Sequence, residues 1–223
     1  MKYEETGKLI KGLGGLYEVL LDKGDTPASG GRIEARAKGN FRHEGTQPLV
    51  GDRVRVLYDD TAVSHTVSGD TAKNKDGGGA VIAEILPRKN ALIRPPTANL
   101  DLLFLTVAAA DPAPMTETVD KLISIAEFNK IEPVLVIGKA DLAPDVAKNL
   151  AKLYTCAGFS AFCLCARSGD GVAALREFIL RELPGKTAAF AGASGVGKST
   201  LLHALFPEFR PETGEVSRKI ARG

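Results

Sequence analysis

The chain has 223 residues, 29 Lys and Arg against 27 Asp and Glu, and a formal net charge of +2 at pH 7. That length holds one large or two small domains, and so even a balance gives by itself no sign of a polyanion partner. Three cysteines (Cys156, Cys163, Cys165) are too few and too close for a disulfide framework and match no zinc spacing, so a reducing cytoplasm is expected.

Residues 1–95 read as strands separated by turns. The N-terminal MKYEETGKLIKGLGG has no apolar signal-peptide core. GLYEVLLDKG, GRIEARAKGNF, VGDRVRVLYDD, AVIAEILPR and NALIRP make five short runs, with period-two alternation clearest at Val54, Val56 and Tyr58. Between the third and fourth runs lies SGDTAKNKDGGG (68–79), whose composition predicts a disordered loop. Five short strands with no helix between them predict a small antiparallel barrel, either an OB-fold or an SH3-like barrel. RPPTANL (94–100) marks the boundary, since prolines do not continue a strand ladder.

From residue 96 the texture alternates. LDLLFLTVAAA is an apolar strand, too short to span a membrane. TETVDKLISIAEFNK is helical, EPVLVIG a strand, DVAKNLAKLYTCAG a helix, FSAFCLCA a strand and GVAALREFIL a helix. KTAAFAG is a last strand and STLLHALF a last helix. Strand–helix alternation predicts a parallel sheet covered on both faces.

The richest stretch is AFAGASGVGKSTLLHALF, 189–206. Gly192, Ala193, Ser194, Gly195, Val196, Gly197, Lys198 and Ser199 fit G-x-x-x-x-G-K-[ST] between a strand and a helix. Backbone N–H groups of such a loop point inward at phosphate oxygens, and the helix N-terminus adds partial positive charge. Lys198 is expected on the β- and γ-phosphates, Ser199 on Mg²⁺ and Thr200 on a phosphate, with Lys198 and Ser199 the catalytic candidates. A second signal precedes it: Lys139-Ala140-Asp141 ends the strand 132–138. A carboxylate there accepts both N1–H and N2–H₂ of guanine, a donor pair adenine lacks, which argues against an ATPase. The next strand ends in Cys165-Ala166-Arg167, whose backbone amides are candidates for the guanine O6.

Base-reading elements thus precede the phosphate loop, an order that resembles the circularly permuted GTPases. RAKGNFR, PLVGDRVRV, EILPRKNALIRP and ANLDLLFLT, then Lys-x-Asp, the phosphate loop and TGEVSRKIARG follow the order of one bacterial family, the ribosome-small-subunit-dependent GTPase A proteins. The resemblance implies an OB-fold domain (1–95) before a permuted GTPase domain (96–223). It also implies slow GTP hydrolysis stimulated by the small (30S) ribosomal subunit, action late in that subunit's maturation, contact with its rRNA, and a need for Mg²⁺. A cytoplasmic monomer away from membranes is expected.

The sequence departs from that family in three places. Gly138 stands where the family has Asn, whose amide braces the phosphate loop and meets the base, and Cys165-Ala166-Arg167 replaces Ser-Ala-Lys. The family's His-Thr-Thr segment, Asp-x-x-Gly loop and zinc domain do not occur in the 223 residues, so the GTPase domain reads as incomplete and no zinc site is present. These residues alone are expected to bind GDP and GTP with little discrimination and to show no GTP turnover above background; a nucleotide-binding RNA module without useful hydrolysis is the alternative. For RNA, Arg32, Arg36, Lys38, Arg42, Arg53 and Arg55 cluster between 32 and 55, with Phe41 and His43 interleaved. By charge alone an ordinary solvated surface explains them. The family resemblance instead assigns Arg32, Arg36, Lys38, Phe41 and Arg42 to RNA.

Overall fold

The computed structural model describes residues 2–24, 28–38, 41, 47–59 and 79–207. The chain folds as two compact units, Met1–Asp101 and Leu102–Gly223.

In the first unit five strands close a barrel in the order β1-β2-β3-β5-β4: β1 (Lys2–Leu13), β2 (Leu16–Leu21), β3 (Arg32–Ala37), β4 (Arg53–Asp59) and β5 (Val81–Ile85). All pairs are antiparallel except β3 with β5, through Arg36↔Val81 and Ala37↔Ile82. That closure is the five-stranded OB-type arrangement rather than the SH3-like one. Long β1 serves two neighbours: Lys2–Lys8 pair with β4 and Gly7–Leu13 with β2. Where the two ladders overlap the backbones crowd, and a Cβ on Gly7 would meet both Leu20 O and Val19 Cγ1 at 2.7 Å. Alternate residues fill the interior, among them Leu9, Val19, Ile33, Val54, Val56, Tyr58 and Ile82.

Two expectations change here. The fifth barrel strand is β1, which reads as polar because only Gly7 and Leu9 of its twelve residues are buried. NALIRP is not a barrel strand. It supplies β6 (Ala91–Leu92), which pairs with β7 (Thr97–Ala98) in a separate hairpin, because β1 and β4 have already closed the barrel. Stretch 68–79, apart from Gly79, lies outside the described residues, as does TGEVSRKIARG.

A buried ion pair ties the barrel's ends. Asp52, fully buried, accepts from Arg88 Nε and Nη2 (2.7 Å each) and from the Leu49 amide (2.7 Å), while Arg88 Nη2 also donates to Gln47 O. The turn entering β4 is thereby fixed to the chain leaving β5.

The second unit is a four-stranded parallel sheet ordered β10-β9-β8-β11, with β8 (Leu102–Ala108), β9 (Glu132–Gly138), β10 (Ser160–Cys163) and β11 (Ala188–Ala191). Each of the four expected strands is present. All seven residues of β8 are buried, as a strand covered on both faces requires. Leu102, Phe104, Val134 and Val136 pack against α3 (Val172–Glu182) and α4 (Lys198–Leu205) through Leu175, Phe178, Ile179, Leu201 and Leu205. Phe104 stacks on Phe190 at 4.7 Å and meets Phe178 edge-on at 6.4 Å. The helices α1 (Thr116–Phe128) and α2 (Pro144–Cys156) are joined by Tyr154, which donates to Asp120 (3.0 Å). Pro144 starts α2 at a position where its missing N–H costs nothing.

Candidate functional site

Parallel strands end on one edge, and there the turns after β8, β9, β10 and β11 converge. The turn after β11 carries the glycine-rich loop. Gly192 has φ +150°, and a Cβ there would lie 2.2 Å from Thr106 O, so no other residue fits. Gly195 and Gly197 also have positive φ, at +81° and +96°. Ala193 and Ser194 are not buried, while buried Val196 anchors the loop to the core. Gly197 is the N-cap of α4 and no side chain caps that helix. Among the described residues no backbone acceptor takes the amides from Ala193 to Thr200. They form a run of open donors at a helix N-terminus, a geometry suited to an anion.

Lys198 Nζ donates to Gly192 O (2.9 Å) and Ala193 O (2.7 Å), and burial pushes its pKa down. A half-buried ammonium held by two carbonyls is one that a phosphate oxygen would attract strongly. Ser199 and Thr200 are exposed in the first turn of α4. Among the described residues no group of three or more His, Cys, Asp or Glu side chains forms a metal cage.

The turn after β9 is built by Lys139 in the left-handed region (φ +53°) and by Leu142 N–H donating to Lys139 O (3.1 Å). Ala140 N–H donates to Leu164 O (3.2 Å), which ties this turn to the end of β10 and leaves Asp141 exposed. Beyond β10 the Cys165 amide is taken by Asp170 O (2.9 Å), and Cys165 O accepts from Gly169 (2.9 Å). That leaves the amides of half-buried Ala166 and exposed Arg167 with no backbone acceptor among the described residues. Gly138 is buried, and a Cβ added to it would lie 3.5 Å from Val196 O and 3.8 Å from Val107 O, ordinary contact distances. The end of β9 thus abuts the glycine-rich loop, with room for a side chain that could brace it.

Three residues were missed in the sequence. Lys139 Nζ donates to the carbonyl of Asp111 in the turn after β8. Pro112 Cδ lies 3.9 Å from the place of a Cβ on Gly195. Thr106 Oγ1 is buried without a hydrogen-bond partner among the described residues. Only Thr106 carried a signal, as the one polar residue of an apolar strand.

In the barrel unit, alternation on β3 turns Arg32 and Arg36 outward. Arg32 pairs with Glu18 (3.1 Å), Arg53 with Asp22, and Arg55 with Glu4 (2.7 Å) and Glu84 (2.9 Å). Exposed Arg36 and Lys38 have no ion-pair partner among the described residues. Phe41 is half-buried against the barrel core, which leaves less of its ring for a base. Arg42 and His43 lie outside the described residues.

Two family models match the chain, the RsgA N-terminal domain over residues 6–64 and the RsgA GTPase over residues 85–223. The chain belongs to the RsgA GTPase family. Among its RsgA relatives, the small ribosomal subunit biogenesis GTPase RsgA of Caldanaerobacter subterraneus subsp. tengcongensis is 37% identical over 218 residues, covering 97% of this chain and 65% of that protein. The RsgA of Agathobacter rectalis is 34% identical over 223 residues, covering 98% and 68%. The crystal structure of YjeQ from Thermotoga maritima matches with a TM-score of 0.71 at 31% identity over 95% of this chain and 68% of that one. YloQ, described as a circularly permuted GTPase, matches with a TM-score of 0.66 at 32% identity over 92% and 66%. The chain therefore spans about two thirds of the length of these RsgA relatives.

Proposed function

We propose that this chain binds guanine nucleotide with Mg²⁺ and serves as a GTPase in late maturation of the small ribosomal subunit, with its barrel contacting rRNA. The observation that carries the nucleotide reading is the meeting of two turns: the Lys-x-Asp turn after β9 and the glycine-rich loop after β11 approach each other at Gly138 and Val196. In this reading the loop amides and Lys198 hold phosphates, Ser199 holds the metal, and Asp141 accepts from the guanine edge while the amides of Ala166 and Arg167 donate to its O6. The metal supplies charge neutralisation on the phosphates when bound. Ribosomal function and cytoplasmic location rest on the family, whose named members act in small-subunit biogenesis; among the described residues no helix is long and apolar enough to cross a membrane.

The test is competition binding. Wild-type protein should prefer GTP and GDP over ATP, and Asp141→Asn should shift preference toward xanthosine triphosphate by about 10–100-fold, the range for a hydrogen bond to a charged group. An unchanged preference would show that Asp141 does not face the base. For the rRNA contact, Arg36→Glu with Lys38→Glu should weaken co-sedimentation with small subunits and lower its salt slope by about 2, one for each phosphate no longer neutralised. Co-sedimentation equal to wild type across the salt series would move the contact elsewhere.

A further inference from the structure

The segment Ala166–Arg167 is tied at both ends to one residue. On its near side the Asp170 carbonyl accepts from the Cys165 amide (2.9 Å), the residue just before Ala166. On its far side the Asp170 carboxylate accepts from the Ser168 hydroxyl (2.5 Å), the residue just after Arg167. That hydroxyl accepts in turn from the Asp170 amide (3.4 Å). Gly169 N–H closes back on the Cys165 carbonyl (2.9 Å). Gly171, at φ +73°, returns the chain past the end of β10, where a Cβ would lie 2.2 Å from Cys163 O. Between the two ties stand the amides of Ala166 and Arg167, without a backbone acceptor among the described residues.

Ser168 and Asp170 are both exposed, so water competes for their bond and its contribution to global stability is small. Its effect falls on the turn. A turn already held in one shape has less ordering to do when a ligand arrives. We propose that Asp170 is a positioning residue for base recognition: through Ser168 it holds the Ala166 and Arg167 amides in the shape that receives the guanine O6. The inference rests on the nucleotide reading above. It divides the base site into two halves, Asp141 for N1–H and N2–H₂ and the Asp170 tie for O6. The turn after β9 joins this one through Ala140 N–H and Leu164 O (3.2 Å), upstream of Cys165. Loosening at Ser168 therefore acts beyond that link and leaves Asp141 in place.

Calorimetric titration with GDP, 6-thio-GDP and IDP tests this on Ser168→Ala, Asp170→Ala, the double variant and Ser168→Thr. Sulfur is a weaker acceptor than oxygen, so 6-thio-GDP gains little from well-placed amides. IDP keeps O6 and lacks N2–H₂. Ser168→Ala and Asp170→Ala should each bind GDP about fivefold more weakly, the scale of one hydrogen bond. Their preference for GDP over 6-thio-GDP should fall by the same factor, and their preference for GDP over IDP should stay at the wild-type value. The double variant should be no weaker than either single one, because both remove the same bond. Ser168→Thr keeps the hydroxyl and should match wild type. Wild-type GDP affinity in the alanine variants, an unchanged preference over 6-thio-GDP, an equal fall in the preference over IDP, additive losses in the double variant, a Ser168→Thr as weak as Ser168→Ala, or alanine variants that do not fold would each overturn the proposal. A wild-type chain that binds none of the three nucleotides would instead remove the nucleotide reading on which it stands.

Discussion

The barrel and the α/β unit handle polar groups in opposite ways. In the barrel, charged side chains are largely matched to one another: Arg53 with Asp22, Arg55 with Glu4 and Glu84, and Arg88 with fully buried Asp52. Pairing to Arg53 holds the Asp22 carboxyl below the usual carboxylate range. The α/β unit buries an apolar sheet and, among the described residues, leaves the amides from Ala193 to Thr200 and of Ala166 and Arg167 without a backbone acceptor along one edge. A surface whose charges are internally matched is shaped for stability, and one whose donors wait unmatched is shaped for a ligand. Among the described basic residues of β3 and its exit, Arg36 and Lys38 have no ion-pair partner.

The comparison breaks first where the barrel's matching is removed. Arg88→Met leaves Asp52 buried without its cation and should destabilise the barrel by about 3 kcal/mol, since an uncompensated buried charge is costly. Urea unfolding followed by a barrel-specific probe measures it, and a loss under about 1 kcal/mol would mean water satisfies Asp52 as well as Arg88 does. A smaller effect sharpens the other side. Gly138→Asn adds an amide where contact distances leave room beside Val196 O, and it should tighten guanine-nucleotide binding by about 1 kcal/mol, the net value of one hydrogen bond. Calorimetry giving equal or weaker binding would show that the loop needs no brace there.

The smallest effect is confined to alkaline pH. Burial, with help from Asp120, pushes the Tyr154 hydroxyl up to about 12. The protonated form is the one the fold favours, so its contribution is fully present below about pH 10 and is lost as pH rises toward 12. Tyr154→Phe should remove that slope from the stability of the α/β unit while changing little at neutral pH. An identical slope in the variant would assign the alkaline loss to other groups.

Most of the α/β unit was legible in the sequence because its strands are continuous apolar runs of strand length alternating with helical periods, as EPVLVIG shows by matching Glu132–Gly138. The glycine-rich loop was legible because its parts are contiguous. The meeting of Gly138 with Val196, and of Lys139 with Asp111, was not, since both arise from the strand order β9-β8-β11 rather than from neighbouring residues. In the barrel, β1 was overlooked because charged residues mask its alternation, and NALIRP was misassigned because a hairpin with prolines in its turn shares the composition of a strand end. Which barrel topology closes depends on the β3–β5 parallel pair, a long-range pairing that no local pattern announces.

The permuted order also has a bearing on how the chain comes off the ribosome that makes it. β8 lies inside the sheet between β9 and β11, yet β11 is synthesised about 80 residues after β8 ends. At roughly 5–20 residues per second, one edge of an entirely buried strand waits on the order of 4–16 s for its neighbour. An unpaired apolar edge invites intermolecular pairing for that whole interval. The nascent sheet is thus at its most vulnerable before the phosphate loop exists, and faster translation or a chaperone that shields strand edges should raise the yield of folded protein.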